Sequence, residues 1–203
     1  MSIEIKISKN RVSYKKAIFI LEKRVEDVKK GLKKEFIWIL EHPTTYTSGI
    51  RFNKDEILDK KIKVIKTNRG GKITLHNPGQ KIIYLVIDLN KRKKDIRLLI
   101  NKLEKSIIEL LAKYKIKAYS DRKNIGIWVG QKKISAIGIR VKKWIAYHGC
   151  SININNDLTK YKKIIPCGLN NEMVTSLKDL GVKKVSNLNN NIVEIFIKNL
   201  FKI

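Results

Sequence analysis

A thiol is the strongest nucleophile among ordinary side chains, but only as thiolate, and a nearby cation makes the thiolate abundant at neutral pH. One stretch of this chain offers such a combination: Lys133 heads KISAIGIR, and Cys167 lies in IIPCGLN. Between them runs AYHGCSININND, which carries His148 and the other cysteine, Cys150. Residue types alone leave a plainer reading open. A cysteine commonly serves as a small apolar filler, and a lysine in a chain with 45 Lys and Arg is commonly solvated surface. His76 and His148 are alternative proton carriers, or simply partners for backbone groups.

Two further stretches have the composition of ligand loops. In Asn68-Arg69-Gly70-Gly71 the paired glycines let backbone approach a ligand closely and leave amides free to bind it, although a tight hairpin or an RNA contact would use the same residues. The loop His76-Asn77-Pro78-Gly79-Gln80 follows after the short strand KITL. Neither CxxC nor HExxH spacing occurs, and three scattered histidines make a poor zinc set, so no metal is expected.

Four blocks in order, RGGKITLHNPGQ (Arg69 to Gln80), KISAIGIR (Lys133 to Arg140), YHGCSININND (Tyr147 to Asp157) and PCG (Pro166 to Gly168), resemble the octanoyltransferase family, also called lipoyl(octanoyl) transferases or lipoate-protein ligase B. The resemblance runs from about Glu41 to about Met173. It implies a biotin/lipoate protein ligase fold and a thioester intermediate on Cys167, with Lys133 lowering the thiol pKa. Substrate-binding positions would be Arg69, Gly70, Gly71, Lys72, Ile73, Thr74, Leu75 and His76, then Ala136, Ile137 and Gly138, then Gly149, Cys150 and Ser151. Ile73, Leu75, Ala136 and Ile137 are the candidates for an apolar acyl slot. The donor would be octanoyl-acyl carrier protein. The acceptors would be lipoyl-carrier domains of 2-oxoacid dehydrogenases or the glycine cleavage H protein, with no cofactor. One departure is visible: Asn77 stands where the family has glycine, and asparagine tolerates left-handed backbone better than most residues. An ATP-dependent lipoate or biotin ligase shares the fold but does not need the nucleophilic cysteine.

The elements that must position these residues read as one α/β domain over 1–203, a mixed and largely antiparallel sheet with flanking helices. IEIKI alternates as a strand; Ala17, Ile20, Leu21, Val25 and Val28 follow helical spacing up to Gly31; FIWIL suits a buried strand. EHPTTYTSGIR reads as a loop, KVIK as a short strand, and KIIYLVIDL as a central strand. Ile96, Leu99, Ile100, Leu103, Ile107, Leu110 and Leu111 give the clearest helix. GIWV, KISAIGIRV and IAYHGCSININ form an expected meander with turns at Gly130 and Lys142-Lys143, and helices are expected from about Thr175 and from Asn191 to Phe201. Regular βαβ alternation is lacking, which argues against a doubly wound dinucleotide fold.

With 203 residues and 43% hydrophobic content the chain supports a sizeable core. No run reaches the length of a membrane span and the N-terminus has no apolar signal core, so a cytoplasmic protein with reduced thiols is expected. The formal charge of +27 invites a nucleic-acid reading, but the excess is mostly lysine spread along the whole chain. A spread charge acts mainly on encounter with an acidic partner and is screened within about 10 Å at about 0.1 M salt. Raising salt should therefore lower kcat/KM for an acyl carrier protein substrate, and a salt-independent value would leave the charge without a role in docking.

Overall fold

The computed structural model describes residues 2–121, 124–166 and 173–203; Cys167 and Gly168 of the PCG block lie outside them. Among the described residues the strands and helices follow the order β1 (Ile3–Ile7), α1 (Tyr14–Lys29), β2 (Glu35–Leu40), β3 (Thr45–Ser48), β4 (Val64–Lys66), β5 (Ile73–His76), β6 (Gln80–Asp88), α2 (Ile96–Ala112), β7 (Tyr119–Ser120), β8 (Ile127–Val129), β9 (Lys132–Lys142), β10 (Ile145–Asn153) and α3 (Leu188–Leu200). Seven strands form one sheet in the order β1-β2-β6-β10-β9-β8-β7, and β4-β3-β5 form a second. The large sheet is antiparallel except where β1 pairs parallel to β2. This is the mixed, largely antiparallel architecture with flanking helices that the sequence predicts.

Alternation along the inner strands sorts the core into two faces. Ile37 and Ile39 of β2 and Ile83, Leu85 and Ile87 of β6 meet the apolar stripes of α2 and α3, among them Leu103, Ile107, Ile195 and Phe196. The residues between them, Phe36, Trp38, Leu40, Ile82, Tyr84 and Val86, meet Ala17, Leu21, Val25 and Val28 of α1. Ser13 caps α1 by accepting from the Lys16 amide, and Gly31, at φ +72, ends it in the left-handed conformation that glycine adopts without strain.

Two segments differ from their sequence reading. Thr45–Ser48, expected as loop, is β3, paired antiparallel to β5. Pro43 and Gly49 at its flanks mask a Thr-Tyr-Thr-Ser core that suits a strand. The helix expected from Thr175 is instead a set of turns ending at Gly181, φ +82, whose entry is pinned by a bridge from Val174 to Lys133 and a hydrogen bond from the Thr175 amide to the Lys133 carbonyl.

Where β2 begins and β6 ends, the buried Glu35 carboxylate accepts from the Asp88 amide at 2.8 Å and from both terminal nitrogens of Arg92, whose side chain is 1% exposed. Glu35→Ala would leave that guanidinium buried without its charge partner, a loss of about 3 kcal/mol. At roughly 2–4 °C per kcal/mol for a chain of this size, thermal unfolding should show Tm lower by about 10 °C; an unchanged Tm would show the pair is dispensable.

Candidate active site

The register of β9, β10 and β6 builds a floor of small residues. Ala136 faces Ser151, which faces Ile82; in the next row on the same face Gly138 faces Gly149, which faces Tyr84. Over this floor lies the segment Arg69 to His76, and between them is a narrow cleft, open at Gly70–Lys72 and Ala136–Gly138 and closed at Tyr14, Ile82, Tyr84 and His148. Roof and floor touch where the Gly70 amide donates to the Ile139 carbonyl at 3.3 Å, and a Cβ on Gly70 would come within 3.0 Å of that same oxygen.

Arg69 holds the roof rather than facing outward. Its guanidinium donates to the Thr47 carbonyl and hydroxyl at 2.8 and 2.9 Å and to the Gly70 carbonyl at 3.0 Å. Gly49 lies under the loop so closely that a Cβ there would sit 2.3 Å from the Gly71 carbonyl oxygen. The side chain of Asn77 ties two loops together: it donates to the Asp157 carbonyl and accepts from Asn156. Asn77 does not adopt the left-handed backbone considered for it from sequence.

Of the positions expected to bind substrate, Arg69, Gly70, Gly71, Lys72, Thr74, His76, Ala136, Ile137, Gly138, Gly149, Cys150 and Ser151 border the cleft. Ile73 and Leu75 do not. Strand alternation turns them to the far side of β5, into a cluster with Tyr46, Tyr161 and Ile164. Ile137 packs against the α2–α3 core, so what it lends the cleft is backbone. Cys150 belongs to that core as well; burial pushes its thiol well above the usual range, which keeps it protonated. Tyr14, Ile82 and Tyr84 were not singled out from sequence. Tyr14 opens α1, distant in sequence from the motif blocks, and Ile82 and Tyr84 look like any apolar residues of a buried strand.

Lys133 lies beside this cleft, 7% exposed, in a smaller cavity lined also by Pro166 and Val174 and sharing Thr74, Ala136 and Ser151 with the cleft. Its Nζ donates to the Ile125 carbonyl at 2.7 Å and sits 5.6 Å from the centre of the Trp128 ring. Gly126 makes the room: at φ +144, a Cβ there would fall 2.3 Å from Lys133 Cε. Pro166 and Val174 are close to the two ends of the stretch containing Cys167, and both reach the Lys133 cavity. Among the described residues no cluster of His, Cys, Asp and Glu could hold a metal ion.

All three histidines gather beneath the cleft. His42 donates from Nδ1 to the Val12 carbonyl and therefore accepts from the Tyr84 hydroxyl at Nε2, 2.9 Å away. Gln80 directs its NH₂ at the Leu75 carbonyl, Asn153 and Tyr161, which leaves its oxygen for His76 Nδ1 at 2.8 Å. Burial lowers His42 to about 4 and His76 to about 3, and burial with Arg69 and Arg140 nearby lowers His148 to about 3. Neutral at pH 7, none of them supplies the cation a thiolate needs. Their folded pKa values lie below the unfolded value of about 6.5, so the unfolded chain binds protons first and stability falls as pH drops from about 6.5 toward 4. The urea midpoint should decline between pH 7 and pH 5, above the range of ordinary carboxylates, and His76→Gln should make that decline shallower; a flat midpoint would show that the histidines are not buried neutral.

Residues 13–197 match the family described as "Lipoyl protein ligase A/B catalytic domain". The chain is similar to proteins named octanoyltransferase from Bartonella bacilliformis (44% identical over 194 residues, 89% of this chain and 80% of the relative) and from a Wolbachia of Brugia malayi (44% over 186 residues, 89% and 91%). Its fold is similar to a lipoate-protein ligase A solved with ATP (TM-score 0.76, 14% identity, 98% of this chain and 86% of that one). It is also similar to a chain of the lipoylation system of Thermoplasma acidophilum, a bi-partite lipoate protein ligase with its E2 lipoyl domain (TM-score 0.75, 15% identity, 99% and 84%). Fold, motif blocks and relatives agree: the chain belongs to the octanoyltransferase family, on the lipoyl protein ligase A/B catalytic domain.

Proposed function

We propose that this protein is a single-domain octanoyltransferase that carries the acyl group on Cys167 with Lys133 as the activating cation. The observation that supports the pairing is the convergence of Pro166 and Val174 on the Lys133 cavity. The Cys167 thiolate attacks the thioester carbonyl of octanoyl-acyl carrier protein; a new carbon–sulfur bond forms, the carrier's carbon–sulfur bond breaks, and the carrier sulfur leaves as a thiol with the proton that the Lys133 ammonium gives up, which leaves Lys133 neutral for the second step. The lysine amine of a lipoyl-carrier domain, of a 2-oxoacid dehydrogenase or of the glycine cleavage H protein, then attacks the same carbonyl. A carbon–nitrogen bond forms, Cys167 leaves as thiolate, and Lys133 relays the proton that the amine gives up. The cleft beside Lys133 receives the chain. Of the positions expected from sequence to bind substrate, those that border the cleft serve the acyl group, with Ile73 and Leu75 supporting them from behind.

No nucleotide or metal enters this reaction. Incubation with octanoyl-acyl carrier protein and EDTA should give, by intact mass, an adduct of one octanoyl increment that hydroxylamine releases, mapped to Cys167. Cys150→Ser should retain most transfer and Cys167→Ser none. Lys133→Met should slow acylation near neutral pH by about 100-fold or more, whereas Lys133→Arg, still a cation but never a base, should acylate Cys167 and transfer poorly. An adduct on Cys150 would overturn the assignment; product formed only from free octanoate and ATP would replace it with a ligase.

A further inference from the structure

Resting on that acyl-transfer reading, we infer that Tyr14 and Tyr84 are the stop that sets the acyl chain length. The floor of the cleft spans three strands. From Ala136 on β9 over Ser151 on β10 to Ile82 on β6 is two interstrand steps, about 10 Å. An extended alkyl chain advances about 1.25 Å per bond, from a 1.52 Å carbon–carbon bond and an angle near 111°. Eight carbons therefore span about 9 Å. A chain entering at the Lys133 side, where Thr74, Ala136 and Ser151 join the two cavities, spends its length over Ser151 and Gly149 and meets the β6 wall at its last carbons.

That wall does not yield. Tyr84 is buried and its hydroxyl donates to His42 Nε2 at 2.9 Å, while His42 is itself anchored to the Val12 carbonyl. Tyr14, also buried, stacks on His76 with centroids 5.8 Å apart and planes 13° from parallel, and His76 is held by Gln80. Ile82 completes the end. Small residues precede the stop and two braced aromatic rings form it, the pattern of a ruler rather than of an open groove.

The test is acylation from carrier protein charged with six-, eight-, ten- or twelve-carbon chains, read by intact mass against time. Wild type should lose at least about tenfold in rate between eight and twelve carbons, since one methylene that does not fit a pocket is worth ~10-fold or more. Tyr14→Ala should accept ten and twelve carbons at rates near that for eight, and Ile82→Phe should move the optimum to six. Thermal melting establishes which variants are folded, and the wild-type profile stands without either. Equal wild-type rates at eight and twelve carbons, or a folded Tyr14→Ala with the wild-type profile, would overturn the ruler. A wild type that forms no adduct from any chain would overturn the transfer reading and the ruler with it.

Discussion

Strand β10 is hydrogen-bonded along its length on both sides, and the register of those two ladders is the constraint on which the rest depends. Side chains alternate strictly, so a slip of one residue would bring Ile152 and Cys150 into the cleft and bury Ser151 in the apolar core. His148 is the exception that keeps the pattern useful. At φ 69 it leaves the alternation and reaches Asn68 through Nε2 at 2.7 Å, so that both Tyr147 and His148 serve the cleft side of the sheet. A histidine in the left-handed region costs the fold a little, and packing on both faces of β10 supplies the restraint.

Much of this was legible in one dimension. Period-two and period-3.6 patterns located β2, β6, the β8–β10 meander, α1, α2 and α3, because burial on defined faces is what those patterns encode. The motif blocks named most of the cleft border. What stayed hidden has a physical reason in each case. Ile73 and Leu75 look like acyl lining because they are apolar and lie in the motif, but β5 presents Thr74 and His76 to the cleft and buries the apolar pair behind it. Tyr14 is brought in by α1, and a single sequence carries no record of which helix end will meet which strand. Gly126 reads as the first residue of the strand GIWV, while its structural use is to accommodate the Lys133 stem.

The histidines show how burial assigns roles by subtraction. From sequence His76 and His148 read as possible proton carriers, yet desolvation keeps all three histidines neutral, and hydrogen bonds hold His42 to Val12 and Tyr84, His76 to Gln80 and His148 to Asn68. They act as rigid polar struts under the cleft. The basic group remaining at the cavity flanked by Pro166 and Val174 is Lys133, oriented by the Ile125 carbonyl and the Trp128 ring.

The contact between Gly70 and Ile139 has a mechanical meaning. Roof and floor of the cleft belong to different sheets, so the cleft is a seam between two hydrogen-bonded bodies, stitched here by the backbone bond of 3.3 Å, by Arg140 reaching the Asn68 carbonyl and by His148 reaching the Asn68 side chain. A seam parts without unzipping any ladder. The Arg69–Lys72 segment is tied to the smaller sheet by the Gly49, Ile50 and Arg51 amides, so a slot lined with glycine and alanine is roofed closely while roof and floor share no ladder.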